Sequence, residues 1–415
     1  MKLGSGMTRV CIAALSCAFF ITGCRVDVRI DKGNDAVAEE TAPASLKEAV
    51  ASDKGLGSSA IVGACINSVN VHDKSFMEIV TANLNAVTLE NELKPDAMFG
   101  YNNEVCPMAG MHEEEVGGKR IEVPALDHSR ADAILDEIAA YNTGHPEAPI
   151  KVRGHVLVWH SQTPEWFFHE DYDASKDYVT KEEMDRRQEW YIRSMLDYYT
   201  GDDSKYKGMF YGWDVVNEAI SDRTGTYRDE SETSWWKVYG SNEYIINAFR
   251  YANKYAPADL KLYYNDYNEC DSMKKKGILS LIADVKAADG TRIDGFGMQG
   301  HYTCNSPTAD KIAEAATEYA DTAGTCMLTE LDVKNSMFYK GKSEQLPEEY
   351  ERQAEYYGSI YDALRKIYAE GVNITGITFW GICDKYTWLE GHHPLLFDEG
   401  YNAKPAYYAF TDGGR

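Results

Sequence analysis

The sequence predicts a (β/α)8 barrel, a closed ring of eight parallel strands each followed by a helix, and three observations carry that prediction. Eight short apolar runs recur along the chain with helix-like stretches between them. Most of these runs are too continuously apolar for a sheet wetted on one face, which suits parallel strands covered on both sides. The eight units together occupy about 360 residues, the size of one barrel domain. An open doubly wound sheet is the alternative pattern. No Gly-rich phosphate fingerprint follows the first run, which counts against it.

The runs read IVGACI (61–66), NAVTLE (85–90), KVRGHVLVW (151–159), MFYGWDVVNE (209–218), KLYYNDYN (261–268), GFGMQG (295–300), CMLTELDV (326–333) and ITGITFWG (374–381). Each is short, β-branched or aromatic, and bounded by polar or turn residues, as strands are. Amphipathic segments at Ser129 to Tyr141, Glu183 to Tyr199, Asn242 to Tyr255 and Glu348 to Glu370 supply helices between them. The exception to the rhythm is Gly100 to Glu122, rich in Gly, Met and Glu, which reads as a long loop at the barrel mouth. No repeat or Pro/Ser/Thr-rich linker divides 50–412, so residues 50–415 are read as one domain.

Composition narrows the partners. The 415 residues are 44% hydrophobic and 26% charged, which is globular. Acidic residues outnumber basic ones 66 to 42, for a net charge of −24. Such a field repels phosphate backbones, which excludes nucleic acid as the expected partner.

The N-terminus reads as an address. Lys2 and Arg9 precede an apolar stretch, Cys11 to Thr22, too short to span a bilayer. It ends in Ile21-Thr22-Gly23-Cys24, which resembles a bacterial lipobox. Residues 1–23 are therefore read as a lipoprotein signal and Cys24 as the lipidated residue. Residues 24–49 are read as an acidic flexible tether. The expectation is an exported protein anchored to a membrane, at the cell surface or in the periplasm.

Six cysteines follow: Cys65, Cys106, Cys270, Cys304, Cys326 and Cys383. None has metal-ligand spacing. Cys65 and Cys326 fall inside strands as small hydrophobes, and export permits one or two disulfides among the others.

In a barrel of this kind the chemistry sits at the C-terminal ends of the strands. Those ends carry Glu90, Asn91, Glu92 and Lys94 (second run), His155, Trp159, His160 and Gln162 (third), and Asn217 with Glu218 (fourth). They also carry Gln299 and His301 (sixth), Glu330 and Asp332 (seventh), and Trp380 with Trp388 (eighth). A structural barrel has no need of so many carboxylates at one mouth, because like charges brought together raise one another's pKa.

Glu218 and Glu330 lie on opposite sides of the ring, the arrangement glycoside hydrolysis requires: one protonated acid and one carboxylate. Glu330 and Asp332 share a face by strand alternation, so Asp332 can hold His301 and His301 can orient Glu330. A metal site built on His155, His160 and His301 is the competing reading. No HExxH or HxH pair supports it, and no GxSxG elbow supports acyl transfer.

At these residues the sequence resembles glycoside hydrolase family 10, the retaining endo-β-1,4-xylanases. The matching segments are ENELKPD (90–96), RGHVLVWHSQTPEW (153–166), WDVVNEA (213–219), LYYNDYN (262–268), GMQGHY (297–302), TELDV (329–333) and FWGICDKYTW (379–388). They stand in the family's order and span about 50–412.

The resemblance implies that Glu218 is the general acid/base and Glu330 the nucleophile. Asn217 would contact the sugar 2-hydroxyl, and His301 with Asp332 would support the nucleophile. His155, Lys94 and Gln299 would line the subsite of that sugar and its neighbour, with Glu90 and Asn91 holding the next sugar, and Trp159 and Gln162 would also bind substrate. Trp380 and Trp388 would form walls that leave no space for the hydroxymethyl group of glucose. Tyr267 would serve the aglycone side. The Gly100–Glu122 insert is longer than the family leads one to expect, so it would wall off or extend the glycone subsites.

The implied substrates are xylan and xylo-oligosaccharides, acted on by a monomer with no metal and no cofactor. Two alternatives stand beside this reading: a retaining enzyme on another β-glucan or aryl glycoside, and a non-catalytic surface glycan-binding lipoprotein.

Overall fold

The computed structural model describes residues 45–335 and 346–412. The signal segment, Cys24 and all but the end of the expected tether lie outside the described residues. In chain order the strands are β1 (Ile61–Ile66), β2 (Ala86–Leu89), β3 (His112–Val116), β4 (Lys119–Val123), β5 (Lys151–Trp159), β6 (Phe210–Asn217), β7 (Lys261–Asp266), β8 (Gly295–Met298), β9 (His301–Thr303), β10 (Cys326–Lys334) and β11 (Ile374–Phe379). The helices used below are α1 (Leu46–Val50), α2 (Lys74–Asn83), α3 (Pro95–Met98), α4 (Ser129–Gly144), α5 (Lys181–Thr200), α6 (Ser234–Tyr239), α7 (Glu243–Tyr255), α8 (Ser272–Ala287), α9 (Ala309–Ala323), α10 (Leu346–Ala369) and α11 (Pro405–Thr411).

Eight strands pair in parallel in the order β1–β2–β5–β6–β7–β8–β10–β11, and the ring closes where β11 pairs back to β1. This is a (β/α)8 barrel. Every observed barrel strand overlaps one of the eight apolar runs, because strands buried on both faces leave continuous apolar stretches. Helices fill the gaps between strands, and several are capped by a short polar side chain. Asp73 caps α2, Thr180 caps α5 and Asp271 caps α8, each accepting from backbone N–H groups of the first turn.

The sixth barrel position is split. β8 ends at Met298, Gly300 turns the chain with φ +77°, and β9 then pairs with β10 through Asp332 opposite His301. A left-handed φ of this kind is natural for Gly and strained for most other residues. The kink lets both Gln299 and His301 reach the mouth.

Three expectations need correction. The fold includes residues before 50, which the tether reading leaves out: Ser45 and Glu48 form a capping box on α1, and Leu46 and Val50 are fully buried. The Gly100–Glu122 insert is not simply a loop over the mouth. It contains the antiparallel hairpin β3–β4, which lies against α5. Arg193 of α5 binds the Glu115 carbonyl (2.9 Å) and the Glu114 carboxylate (3.0 Å), and Val116, Ile121 and Val123 are buried. Finally, all six cysteines among the described residues are free, five of them buried, so the permitted disulfides do not form. Cys65 and Cys326 do sit inside strands β1 and β10.

The segment after β11 carries Trp388 and is pinned at two points. Lys404 and Asp384 form a buried ion pair at 2.9 Å. Asp73, beyond its capping role, accepts from Tyr386 (2.6 Å), Tyr401 and Lys385 (3.1 Å).

Candidate active site

A cleft of about 640 Å³ opens at the C-terminal ends of the barrel strands. It is lined by Glu90, Asn91, Lys94, His155, Trp159, Gln162, Asn217, Glu218, Tyr267, Gln299, His301, Glu330, Trp380 and Trp388, so the structure brings these sequence-selected residues to one place. Asp332 stands behind the wall, fully buried. No residue of the 100–122 insert lines the cleft.

Glu218 follows directly on the end of β6 and has a left-handed backbone, φ +54°. A non-Gly residue adopts that conformation only where its surroundings enforce it. Here its N–H donates to the Asn265 carbonyl (2.9 Å), and its own carbonyl accepts from Arg228 Nε (2.7 Å). The carboxyl is thereby presented to the cleft, where Oε1 accepts from Gln299 Nε2 and Oε2 from Trp159 Nε1, both at 2.9 Å. His160 Nδ1 lies 3.9 Å from the same oxygen. Burial, with Arg228 and Lys274 nearby, pushes the His160 pKa down to about 3, so this ring is neutral.

Glu330 is held differently. Asn265 Nδ2 donates to Oε1 (2.7 Å) and His301 Nε2 sits 3.2 Å from Oε2. Burial opposes its charge, but the His301 bond, the nearby His155 and the Asn265 bond prevail and hold it below its usual pKa. His301 Nδ1 in turn contacts Asp332 Oδ2 at 3.0 Å. Burial disfavours the imidazolium, yet Asp332 and Glu330 outweigh it and raise the His301 pKa to about 10. The result is a line of alternating charge: Glu330, His301, Asp332.

Between the two glutamates lies an amide bridge. Asn265 Nδ2 also reaches Asn217 Oδ1 (3.0 Å), which accepts from Gln299 Nε2 (3.2 Å). Thr329 Oγ1 donates to Asn265 Oδ1 (2.6 Å), fixing that amide's orientation. Gly297 makes room for it: a Cβ there would come 2.3 Å from Asn265 Oδ1.

On one side of the cleft, His155 is braced at Nδ1 by Asp214 (3.0 Å), whose carboxylate also takes two bonds from the buried Arg153. Burial disfavours the Asp214 anion, but Arg153 and His155 lower its pKa overall. Lys94 Nζ bonds Asn91 Oδ1 (2.9 Å) and faces the rings of Trp159 and Trp380. Glu90 accepts from Asn67 (2.7 Å), with its pKa raised by burial, and Gln162 bonds Asp96 (3.0 Å). On the other side, Tyr267 donates to Asp222 and accepts from Arg228 Nη2 (3.3 Å).

Asn265, Asn268, Asp214 and Lys334 lie in or directly behind the cleft, and sequence reasoning does not single them out. Lys334 and Asn268 line the cleft. Lys334 continues the alternation of Glu330 and Asp332, a signal that could have found it. Asn265 and Asp214 sit inside apolar runs with nothing in the sequence to say which polar groups they meet.

The three histidines of the metal reading are engaged separately, and among the described residues no group of three or more His, Cys, Asp or Glu is arranged to hold a metal ion. What the cleft offers is two carboxyls in unlike settings, with amide donors between them. That arrangement suits acid/base and nucleophilic work on a neutral polar substrate.

Comparison with known proteins agrees. The family model for Glycosyl hydrolase family 10 matches residues 46–413. Endo-1,4-beta-xylanase Y of Acetivibrio thermocellus is 34% identical over 366 residues, a match covering 84% of this chain and 31% of that protein. The chain thus spans about a third of that relative's length. Endo-1,4-beta-xylanase of Geobacillus stearothermophilus is 37% identical over 284 residues, covering 66% of this chain and 80% of the relative. Among solved structures, the N-terminal endo-1,4-beta-D-xylanase 10B modules of Clostridium thermocellum complexed with xylohexaose superpose with a TM-score of 0.72 at 32% identity, covering 89% of this chain and 67% of that one. The chain belongs to glycosyl hydrolase family 10.

Proposed function

We propose that the protein is a retaining endo-β-1,4-xylanase that hydrolyses internal bonds of xylan by double displacement. The observation that carries this reading is the unlike settings of Glu218 and Glu330 in one cleft. Glu330, kept anionic by His301 and Asn265, attacks the anomeric carbon. Glu218 gives its proton to the glycosidic oxygen as the bond to the leaving sugar breaks. In the second step Glu218 takes a proton from water, the water oxygen bonds to the anomeric carbon, and Glu330 departs as carboxylate.

Asn217 is the contact for the sugar 2-hydroxyl, and His155, Lys94 and Gln299 position the same ring. Glu90 and Asn91 hold the next sugar out. Trp380 and Trp388 discriminate sterically against a hydroxymethyl group, a preference of modest size. The relatives described above are xylanases, which supports the choice of xylan over other β-glycans.

The test is chromatography of products from arabinoxylan, with Glu330→Ala run in parallel. A ladder of xylo-oligosaccharides from the wild type alone is expected, with the variant lower by several orders of magnitude. An intact polymer from the wild type would overturn the substrate, and equal ladders would overturn the nucleophile.

A further inference from the structure

Trp388 stands half exposed at the cleft, where the family resemblance gives it the part of a wall. Its indole N–H, however, does not face the sugar. Nε1 donates to Asp332 Oδ2 at 2.8 Å, the same oxygen that contacts His301 Nδ1 at 3.0 Å. The indole ring also packs edge-on against the His301 imidazole, with centroids 5.2 Å apart. A continuous chain of hydrogen bonds therefore runs from Trp388 through Asp332 and His301 to Glu330.

The state of Asp332 makes this contact matter. Its side chain is fully buried, and Oδ1 has no hydrogen-bond partner among the described residues. A buried carboxylate depends on the few donors it has, and Asp332 has two, both on one oxygen. Remove the indole N–H and His301 becomes its only side-chain partner. Chains of this kind in a low-dielectric interior polarise one another, so the loss is felt at Glu330.

We propose that Trp388 is a positioning residue for the nucleophile, acting through Asp332 and His301, in addition to any part it plays as a wall. The inference rests on the reading of Glu330 as nucleophile. It makes the residue that closes over the sugar also one that sets the charge balance behind the reacting carboxylate.

Trp388→Phe removes the N–H and keeps an aromatic, though smaller, wall; the pH profile and the double-variant cycle separate the lost N–H from the lost bulk. Steady-state kinetics on an aryl xylobioside, with Asp332→Asn and the double variant alongside, tests the chain. Trp388→Phe is expected to lower kcat about tenfold, the worth of a hydrogen bond to a buried charge, with KM changed by less than about twofold.

The positive end of the N–H dipole favours the anionic cluster, so its loss makes the ionised form of Glu330 less favourable. The acid limb of kcat/KM should therefore move to higher pH, which a purely steric wall would not do. In the Asp332→Asn background, Trp388→Phe should have little further effect. Additive effects in the cycle, an unmoved acid limb, or a change confined to KM would each overturn the proposal. A wild type inactive on the xylobioside and on xylan alike would instead overturn the functional reading beneath it.

Discussion

At the scale of single residues, the site depends on which neighbours outweigh burial. Glu330 and His301 are both poorly hydrated: Glu330 is kept ionised by His301, His155 and Asn265, and His301 by Asp332 and Glu330. Folding raises the His301 pKa from 6.5 to about 10. A group whose pKa is raised on folding contributes stability that is full below its unfolded value and is lost as pH rises through its folded value. Wild type should therefore be more stable than His301→Gln by a margin that is largest below about pH 6.5 and shrinks toward pH 10. Denaturant unfolding of both proteins across that range measures the margin, and a margin that grew with pH would refute a charged His301.

Single residues also show where sequence reading succeeds. Glu330, Asp332 and His301 are legible because strand alternation and the barrel's polarity place them together. Asn265 is not, because its partners come from two other strands: Asn217 from the neighbouring β6, and Glu330 and Thr329 from β10, which only the barrel's curvature brings to it.

At the scale of elements, the hairpin is the feature that the Glu-rich composition conceals. His112–Val116 and Lys119–Val123 flank Gly117-Gly118, a two-residue turn of the kind that joins tightly twisted strands. That signal is present in the sequence, but three consecutive glutamates have low strand preference and mask it. Charge on this hairpin is no obstacle, because it points to solvent or to Arg193 while Val116, Ile121 and Val123 turn inward.

Since none of these residues lines the cleft, stability and catalysis should separate here. Val123→Ala is expected to lower unfolding free energy by about 2 kcal/mol, the worth of a fully buried branched side chain, with kcat on xylan unchanged within about twofold. Thermal melting and initial rates check both halves. A large fall in kcat at unchanged KM would mean the hairpin reaches the catalytic groups after all.

At the scale of the whole molecule, the eight-strand count is legible because a closed parallel barrel leaves no face uncovered, so its strands announce themselves as uninterrupted apolar runs. The start of the domain is not. Five helical residues, LKEAV, are too few to show a period, and their acidic surroundings read as tether. In the structure α1 is part of the core: Leu46 and Val50 are fully buried, α1 packs on α11 and β1, and Leu46 N–H donates to Asn83 Oδ1 at 3.2 Å.

α1, packed on α11, thus helps cover the barrel beside the closure between β1 and β11. A chain beginning at residue 45 keeps α1 and is the reference. One beginning at residue 51 should lose about 3 kcal/mol or more, at roughly 1.5 kcal/mol or above for each of the two buried side chains. Differential scanning calorimetry of the two truncations decides the matter. Equal melting temperatures would mean that α1 only rests on the barrel.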